Sequence, residues 1–218
     1  DGPVFPERWL YLGEGQAEGV ARRDLAVQLP GGRTPEALAH AILGYGLRSS
    51  LVLHGPRTDG QALATGLRRA LLRAEAVPAP QGLAARRRTA AAFAARELDV
   101  LVMPSPQGGL PSAADLDELR PTHVVFYDIP QARGAPAARG ARPGSTTVAE
   151  RPAPCVVVLA ADGQEKELAR LQEAIGVSLN NGEVPGRDEV LGGAVRRIME
   201  RMQGEADQEE LARVRAAE

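Results

Sequence analysis

The stretch of sequence that decides the fold runs from Ala85 to Pro130 and reads ARRRTAAAFAARELDVLVMPSPQGGLPSAADLDELRPTHVVFYDIP. It predicts an Ala/Arg-rich helix, a buried strand at Asp99–Met103, a Gly/Pro loop, a short capped helix and a second buried strand at Thr122–Asp128. Strands that are apolar throughout and alternate with helices are typical of a parallel sheet with both faces covered. The stretch therefore predicts an α/β fold.

Short apolar runs elsewhere in the chain predict the remaining strands. These are Asp24–Leu29, Ser50–His54, a weak edge strand at Ala76–Ala79, and Cys155–Leu159. Residues 24–176 are therefore expected to form one α/β domain. A Pro/Gly-rich linker or arm at 1–23 precedes it, in which Trp9, Leu10 and Tyr11 are suited to hold the arm against a surface.

Capping residues and amphipathic spacing predict the helices. These are Thr34–Gly44, Gln61–Ala74, Arg86–Arg96, Ser112–Leu119, Gln164–Ile175, Glu189–Met202 and Gln208–Ala217. Within the second of them, Leu63, Leu67 and Leu71 form one apolar stripe that is expected to face the core. Residues 177–218 are expected to form a helical C-terminal extension, entered through an irregular connector.

Composition and charge exclude several classes of protein. The 218 residues carry a formal net charge of −2, whereas a generic nucleic-acid-binding protein is more often strongly basic. The one cysteine, Cys155, excludes an internal disulfide and a Cys-rich metal site. The chain has no long apolar run typical of a membrane span and no signal pattern at its N-terminus, which predicts a cytoplasmic protein.

The single lysine excludes an NTPase of the P-loop class that works alone. A P-loop needs glycines around a Lys-Ser/Thr pair, because backbone N–H groups surround the phosphates and the lysine reaches their oxygens. Lys166 lies between Glu165 and Glu167, without those glycines.

Three loops are candidates for a binding site, because ligands of open parallel sheets bind beyond the carboxyl ends of the strands. These loops are Gly55–Gly60, Pro104–Pro111 and Asp128–Gly144. The histidines add little to them. His54 ends a buried strand at this edge, where it has either a polar role in the site or a structural hydrogen bond.

The residues in and around these loops resemble the second motor domain of DEAD-box RNA helicases over roughly residues 24–202. The segment His123–Pro130, HVVFYDIP, is similar to the family's HVVNYDLP. Further matches are Leu51–Leu53, Leu63-Ala64, Arg86, Phe93, Val100–Val102 and Gly109-Leu110. The departures are Leu83 in place of a Gln, and Pro104 and Ser105 in place of Thr and Asp. The resemblance implies a RecA-like parallel sheet with helices on both faces.

The family's arginine motif is matched only by Ala138–Gly144, ARGARPG, which keeps two arginines at the family's spacing. By resemblance, Arg139 and Arg142 are equivalents of the arginine finger, which stabilises charge on the γ-phosphate during phosphoryl transfer. The upstream His-Arg pair is replaced by Ala135-Pro136. The other interpretation is that both arginines are solvated residues of a basic loop.

The resemblance also implies an RNA-facing surface and partners. Gly55, Arg57, Arg86 and Gly109 would lie near the RNA groove. ATP and Mg²⁺ would bind only together with an upstream RecA-like domain of the same protein, which carries the P-loop. The arginines Arg86–Arg88 are otherwise the ordinary solvated face of a surface helix.

The helix Glu189–Met202 has one apolar face. Its residues are Val190, Ala194, Ile198 and Met202. This face either packs on its own domain or pairs with a second copy of the chain, since the segment resembles the start of the tail of some bacterial family members.

Two functions follow from these observations. The first is the C-terminal RecA-like domain of a divergent DEAD-box-like, ATP-dependent RNA helicase, which contributes RNA and ATP contacts without being an ATPase alone. The second is a catalytically inactive, helicase-like scaffold for RNA binding or dimerisation, which the replacements at Pro104 and Ser105 favour.

Overall fold

A parallel sheet of seven strands forms the centre of the domain. The computed structural model describes residues 24–29, 31–77, 83–106, 111–130 and 154–217, without the side chains of 83–85, 113 and 205–217. The strands are β1 (Leu25–Leu29), β2 (Ser50–His54), β3 (Ala74–Ala76), β4 (Val100–Pro104), β5 (His123–Phe126), β6 (Cys155–Ala161) and β7 (Asn180–Gly182). Their order is β3-β4-β2-β5-β6-β1-β7, and each neighbouring pair is parallel.

Six helices are described, and they cover both faces of the sheet. They are α1 (Pro35–Gly44), α2 (Gly60–Arg69), α3 (Leu83–Ala94), α4 (Ala113–Leu119), α5 (Glu165–Ile175) and α6 (Arg187–Ala217). Alternate strand residues divide the core in two, because successive side chains of a strand point to opposite faces. Helices α1 and α2 close one half with residues such as Ile42 and Leu67, and α3, α4 and α5 close the other with residues such as Phe93. The expected RecA-like α/β fold is confirmed.

Local signals in the sequence fix several helix ends. The Thr34 hydroxyl accepts a hydrogen bond from the amide of Ala37 at 3.1 Å and caps α1. Ser112 and Asp115 form the expected reciprocal capping box at the start of α4. Gly176 ends α5 with a left-handed φ of 65°, which glycine adopts without steric cost. These predicted boundaries are confirmed.

The predicted helix Gln61–Ala74 is wrong at its C-terminal end, and α2 ends at Arg69. Leu71 adopts a left-handed φ of 63°, and the chain turns there. The turn buries Leu72 in the core and leaves Leu71 56% exposed, so Leu71 is not part of the buried stripe. Ala74 belongs instead to β3, an edge strand that begins two residues before the predicted one.

The C-terminal segment also differs from the prediction. Residues Asn180–Gly182 form β7, which pairs with β1 at the other edge of the sheet. This strand is polar and mostly exposed, so it has no apolar pattern by which sequence could detect it. Arg187–Ala217 is one continuous helix rather than two, since the single Gly204 lowers helix stability without ending the helix.

Candidate nucleic-acid and nucleotide interface

The described parts of the predicted site loops lie at the carboxyl edge of the sheet, as the parallel topology requires. Gly55 and Arg57 follow β2, and Arg86 lies near the N-terminal end of α3, which follows β3. Because β3, β4 and β2 are adjacent, these residues lie at one end of the same edge. Arg57 and Arg86 are both exposed. The structure therefore brings together the described members of the predicted RNA-facing set.

Asp128 ties the loop after β5 to the loop after β2. Its carboxylate accepts a hydrogen bond from the amide of Gly55 at 2.8 Å and from the hydroxyl of Thr58 at 2.6 Å. Gly55 therefore acts through its backbone, and its N–H is already used within the protein. A carboxylate that accepts two such bonds holds the β2–α2 loop in one conformation.

Arg33 extends this network towards the other end of the edge. Its guanidinium lies 3.4 Å from the Asp128 carboxylate and donates to the side-chain oxygen of Gln164 at 3.2 Å. That same amide oxygen of Gln164 accepts from the backbone amide of Ala161 at 3.0 Å. Loops from four strands are thus linked through Asp128 and Arg33. We call Arg33, Gly55, Thr58, Asp128 and Gln164 the edge network.

Tyr127 precedes Asp128 and is buried, and its hydroxyl has a raised pKa. Burial raises the pKa of the Tyr127 hydroxyl above its usual value, and the negative charge of Asp128 raises it further. Tyr127 is therefore neutral across the physiological pH range. Its ring is part of the core beneath the edge network.

His54 packs inside the domain at the end of β2 and is 8% exposed. Its Nδ1 lies 2.9 Å from the carbonyl oxygen of Gly55, and its Nε2 would lie 2.6 Å from a Cβ at position 60. Gly60 thus provides the space that the imidazole fills. This geometry matches the structural alternative for His54.

Pro104 and Ser105 stand where the resembling family has Thr and Asp. Pro104 is the last residue of β4, and the amide of Ser105 donates to the carbonyl of His54 at 2.7 Å. The Ser105 hydroxyl oxygen is buried and has no hydrogen-bond partner in the structure. The backbone of this loop is therefore fixed to β2, while the carboxylate of the family motif is replaced by a hydroxyl.

Three predicted site residues lie outside the described residues. These are Gly109, Arg139 and Arg142. Their assignment to RNA or to the γ-phosphate remains a prediction.

The predicted dimerisation face is divided by the structure. Val190 and Ala194 pack against the core on the α1 side of the sheet. Ile198 is 39% exposed and Met202 is 65% exposed. Residues on one predicted face therefore have two different environments within α6.

Sequence reasoning missed most of the edge network. Arg33 and Gln164 each stand just before a helix that follows a strand, and Asp128 comes two residues after β5. Such positions are the available signal, because polar side chains after parallel strands meet at one edge. The pairing of these particular residues depends on strand order, which local patterns do not give.

Two other kinds of structural feature are absent from the described residues. No group of three or more His, Cys, Asp or Glu side chains is placed to hold a metal ion. Nor does any helix in these ranges have the length and apolar character needed to cross a membrane.

Comparison with solved structures identifies the fold. The C-terminal domain of the DEAD-box protein Dbp5 is 18% identical, with a TM-score of 0.55, and the match covers 82% of this chain and 99% of that one. The fold is that of a DEAD-box C-terminal domain. No family model and no curated sequence matches the chain.

Longer DEAD-box structures match over part of their length. S. cerevisiae Dbp5 bound to RNA and ADP BeF3 is 16% identical with a TM-score of 0.54, and the match covers 81% of this chain and 45% of that one. A DEAD-box protein from Methanococcus jannaschii is 15% identical with a TM-score of 0.51. That match covers 75% of this chain and 42% of the other. The chain thus spans less than half of these longer proteins.

Replacing Asp128 by Ala is expected to lower the free energy of unfolding by about 2 kcal/mol, because the Gly55 amide and the Thr58 hydroxyl lose their acceptor. Hydrogen exchange of the Gly55 amide should become faster. Thr58→Val removes a single bond of the same network and is expected to cost about 1 kcal/mol. Urea unfolding of the three proteins checks this order, and an Asp128→Ala protein as stable as the parent would contradict the role of the edge network.

Proposed function

We propose that the chain is the second RecA-like domain of a DEAD-box-like, ATP-dependent RNA helicase. In this proposal, the carboxyl edge of the sheet faces RNA and the nucleotide. The supporting observation is that Gly55, Arg57 and Arg86 lie at one edge of the sheet, where Asp128 holds the β2–α2 loop. A protein of the same fold, S. cerevisiae Dbp5, is described as bound to RNA and ADP BeF3.

Arg57 and Arg86 are proposed to bind the RNA backbone. Both are exposed side chains on loops or helix starts beside β2 and β3. Phosphate contacts need positive charge and a suitable position without any particular base sequence. The net charge of −2 does not oppose this function, because phosphate contacts depend on local positive charge, which Arg57 and Arg86 supply at this edge.

The nucleotide is proposed to be held mainly by a separate domain. The sequence has no P-loop, and the described residues offer no cluster of carboxylates for Mg²⁺. ATP and Mg²⁺ fit this chain only as ligands shared with an upstream RecA-like domain. Arg139 and Arg142 are proposed to supply positive charge to the phosphates there.

The alternative proposal is a catalytically inactive scaffold that binds RNA or forms a homodimer. It is favoured by Pro104 and Ser105, which replace a Thr and a carboxylate of the resembling family. A homodimer would have to use Ile198 and Met202 with their exposed neighbours, since Val190 and Ala194 already contact the domain core.

The double replacement Arg57→Glu with Arg86→Glu is expected to weaken binding of single-stranded RNA about tenfold at low salt and to reduce the salt dependence of binding. Fluorescence anisotropy of labelled RNA at several salt concentrations measures both quantities. The matched control is Arg187→Glu with Arg196→Glu, which reverses two exposed arginines on α6. Equal losses in both double variants would contradict a defined RNA edge.

Measuring ATP hydrolysis separates the two proposals. The assay mixes the chain with a P-loop RecA-like domain, or uses the natural polypeptide that contains both, with and without RNA. Stimulation by RNA supports the motor domain. Salt-sensitive RNA binding without stimulated hydrolysis supports the inactive scaffold.

A further inference from the structure

Exposed apolar side chains are concentrated on one element of the domain. Among the described residues, every large hydrophobic side chain that is exposed lies on α6, just before its first residue, or on the turn that Arg201 of α6 contacts. These residues are Leu71, Val184, Leu191, Val195, Ile198, Met199 and Met202. Leu71 belongs to the set because the Arg201 guanidinium donates a hydrogen bond to its carbonyl oxygen. We call this set the α6 apolar face.

The α6 apolar face points away from the domain. Leu191, Val195 and Met202 follow one another at helical spacing, so they lie on one side of α6. The other side is held by the domain: Arg197 contacts Asp99, and Gly193 is packed against Leu43.

The size of this face calls for a partner. Five of its seven residues are more than half exposed, which amounts to apolar surface on the order of several hundred Å². The largest apolar patch of this extent on a soluble domain is often functional, whereas single exposed apolar residues need no explanation.

We propose that residues 5–11 of the same chain dock on the α6 apolar face. The chain has seven aromatic residues, and three of them, Phe5, Trp9 and Tyr11, lie in this short segment. The face contains two of the three methionines of the chain, Met199 and Met202. Methionine adapts its shape to a ligand and makes favourable sulfur–aromatic contacts, so the two surfaces are chemically complementary.

The position of Asp24 puts the segment within reach. Asp24 accepts from the amide of Val156 at 2.7 Å and from that of Asn180 at 2.9 Å, which places it at the amino edge of the sheet. Helix α6 runs along this same edge, because Arg197 reaches the residues that precede β2 and β4. Residues 12–23 can span up to about 40 Å, and the helix from 191 to 202 is about 17 Å long.

The tether favours this segment over a second copy of the chain. A segment joined by a short linker has an effective concentration on the order of millimolar, about a thousandfold above a second copy at micromolar concentration. The seam of Leu191, Val195, Ile198 and Met202 continues at the same spacing to Glu205 and Glu209. A parallel copy would therefore place carboxylates opposite carboxylates.

The fluorescence of Trp9 tests the proposal directly, because it is the only tryptophan in the chain. In the unaltered chain, its emission is expected to be blue-shifted and protected from acrylamide. Met199→Glu with Met202→Glu should shift the emission to the red and at least double the quenching constant. The control, Arg196→Glu with Gln203→Glu, adds two carboxylates to exposed positions outside the face and should leave both values unchanged.

A second variant leaves the helix untouched. Phe5→Ser with Tyr11→Ser should expose Trp9 as well, while circular dichroism and the thermal transition stay those of the parent. If Trp9 in the unaltered chain is as accessible to acrylamide as in the methionine variant, the proposal is wrong. It is also wrong if protection of Trp9 grows with protein concentration and light scattering shows a dimer, since the occupant is then a second copy.

Discussion

Replacing Asp99 by Ala is expected to lower the free energy of unfolding by about 3 kcal/mol, because it leaves the largely buried guanidinium of Arg197 without its carboxylate partner. The Asp99 carboxylate lies 3.3 Å from Arg197 and 3.1 Å from Arg73, and accepts from the Arg73 amide at 2.8 Å. The side chains of Asp99 and Arg197 are 12% and 10% exposed. Arg197 is therefore shielded from water and depends on this carboxylate.

The exposed ion pair of Arg48 with Glu200 provides the control. It also joins α6 to the amino edge of the sheet, but its side chains are 63% and 39% exposed. Water screens such a pair, so Glu200→Ala is expected to cost less than about 1 kcal/mol. Urea unfolding of both variants measures the difference, and similar costs would contradict the special role of Asp99.

The stabilising effect of Asp99 should also depend on pH. Burial acts to raise the pKa of Asp99, but hydrogen bonds from Arg73 and the charges of Arg197 and Arg73 outweigh it and lower the pKa below the usual value. A lowered pKa gives stability that is present above the unfolded-state value of about 3.9 and is lost as the pH falls through the folded-state value. The parent should thus exceed Asp99→Ala in free energy of unfolding by the full amount at pH 7. This difference should shrink below about pH 4. Asp117→Asn removes an exposed carboxylate on α4 and serves as the control for the loss of one negative charge.

Replacing Gly193 by Ala is expected to lower the free energy of unfolding by about 2 kcal/mol, through overpacking of two helices. A Cβ at this position would overlap the carbonyl oxygen of Leu43 and lie 2.7 Å from its carbonyl carbon. Backbone atoms of α1 cannot rotate away as a side chain can. Helix α6 would have to move from α1, and the contacts of Val190 and Ala194 with the core would weaken.

The adjacent residue Gly192 gives a control of opposite sign. A Cβ there would meet no atom within 4 Å. Gly192→Ala should therefore raise the free energy of unfolding by about 0.5 kcal/mol, since alanine favours the helix and restricts the unfolded chain. Thermal unfolding of the two variants measures these opposite changes in stability. A stabilised Gly193→Ala protein would contradict the close packing of α1 and α6.

The sequence predicted the strands that are buried on both faces. Residues 51–53 and 100–102 are apolar without interruption, because helices cover both sides of the sheet. Edge strands lack this pattern. The apolar pattern therefore predicts β3 two residues too late and does not predict β7. Apolar periodicity reports burial, and these strands are less buried.

The candidate site likewise has a part that the sequence predicts and a part that only the tertiary structure shows. That Gly55, Arg57 and Arg86 lie at one edge follows from parallel strands, which sequence alone indicates. That Asp128 binds Gly55 and Thr58 does not, because 70 or more residues separate the partners along the chain. Their contact depends on β5 lying beside β2.

By itself, the sequence determined the α/β fold, the order of its main elements and the edge of the sheet at which the candidate site lies. These follow from local patterns of apolar residues and capping residues. Only the tertiary structure decided that α6 has one side held to the domain and the other exposed. Both sides carry apolar residues, and contacts such as those of Gly193 with Leu43 and Arg197 with Asp99 select between them. Spacing along a helix predicts which residues share a side, whereas the side that packs is set by residues distant in sequence.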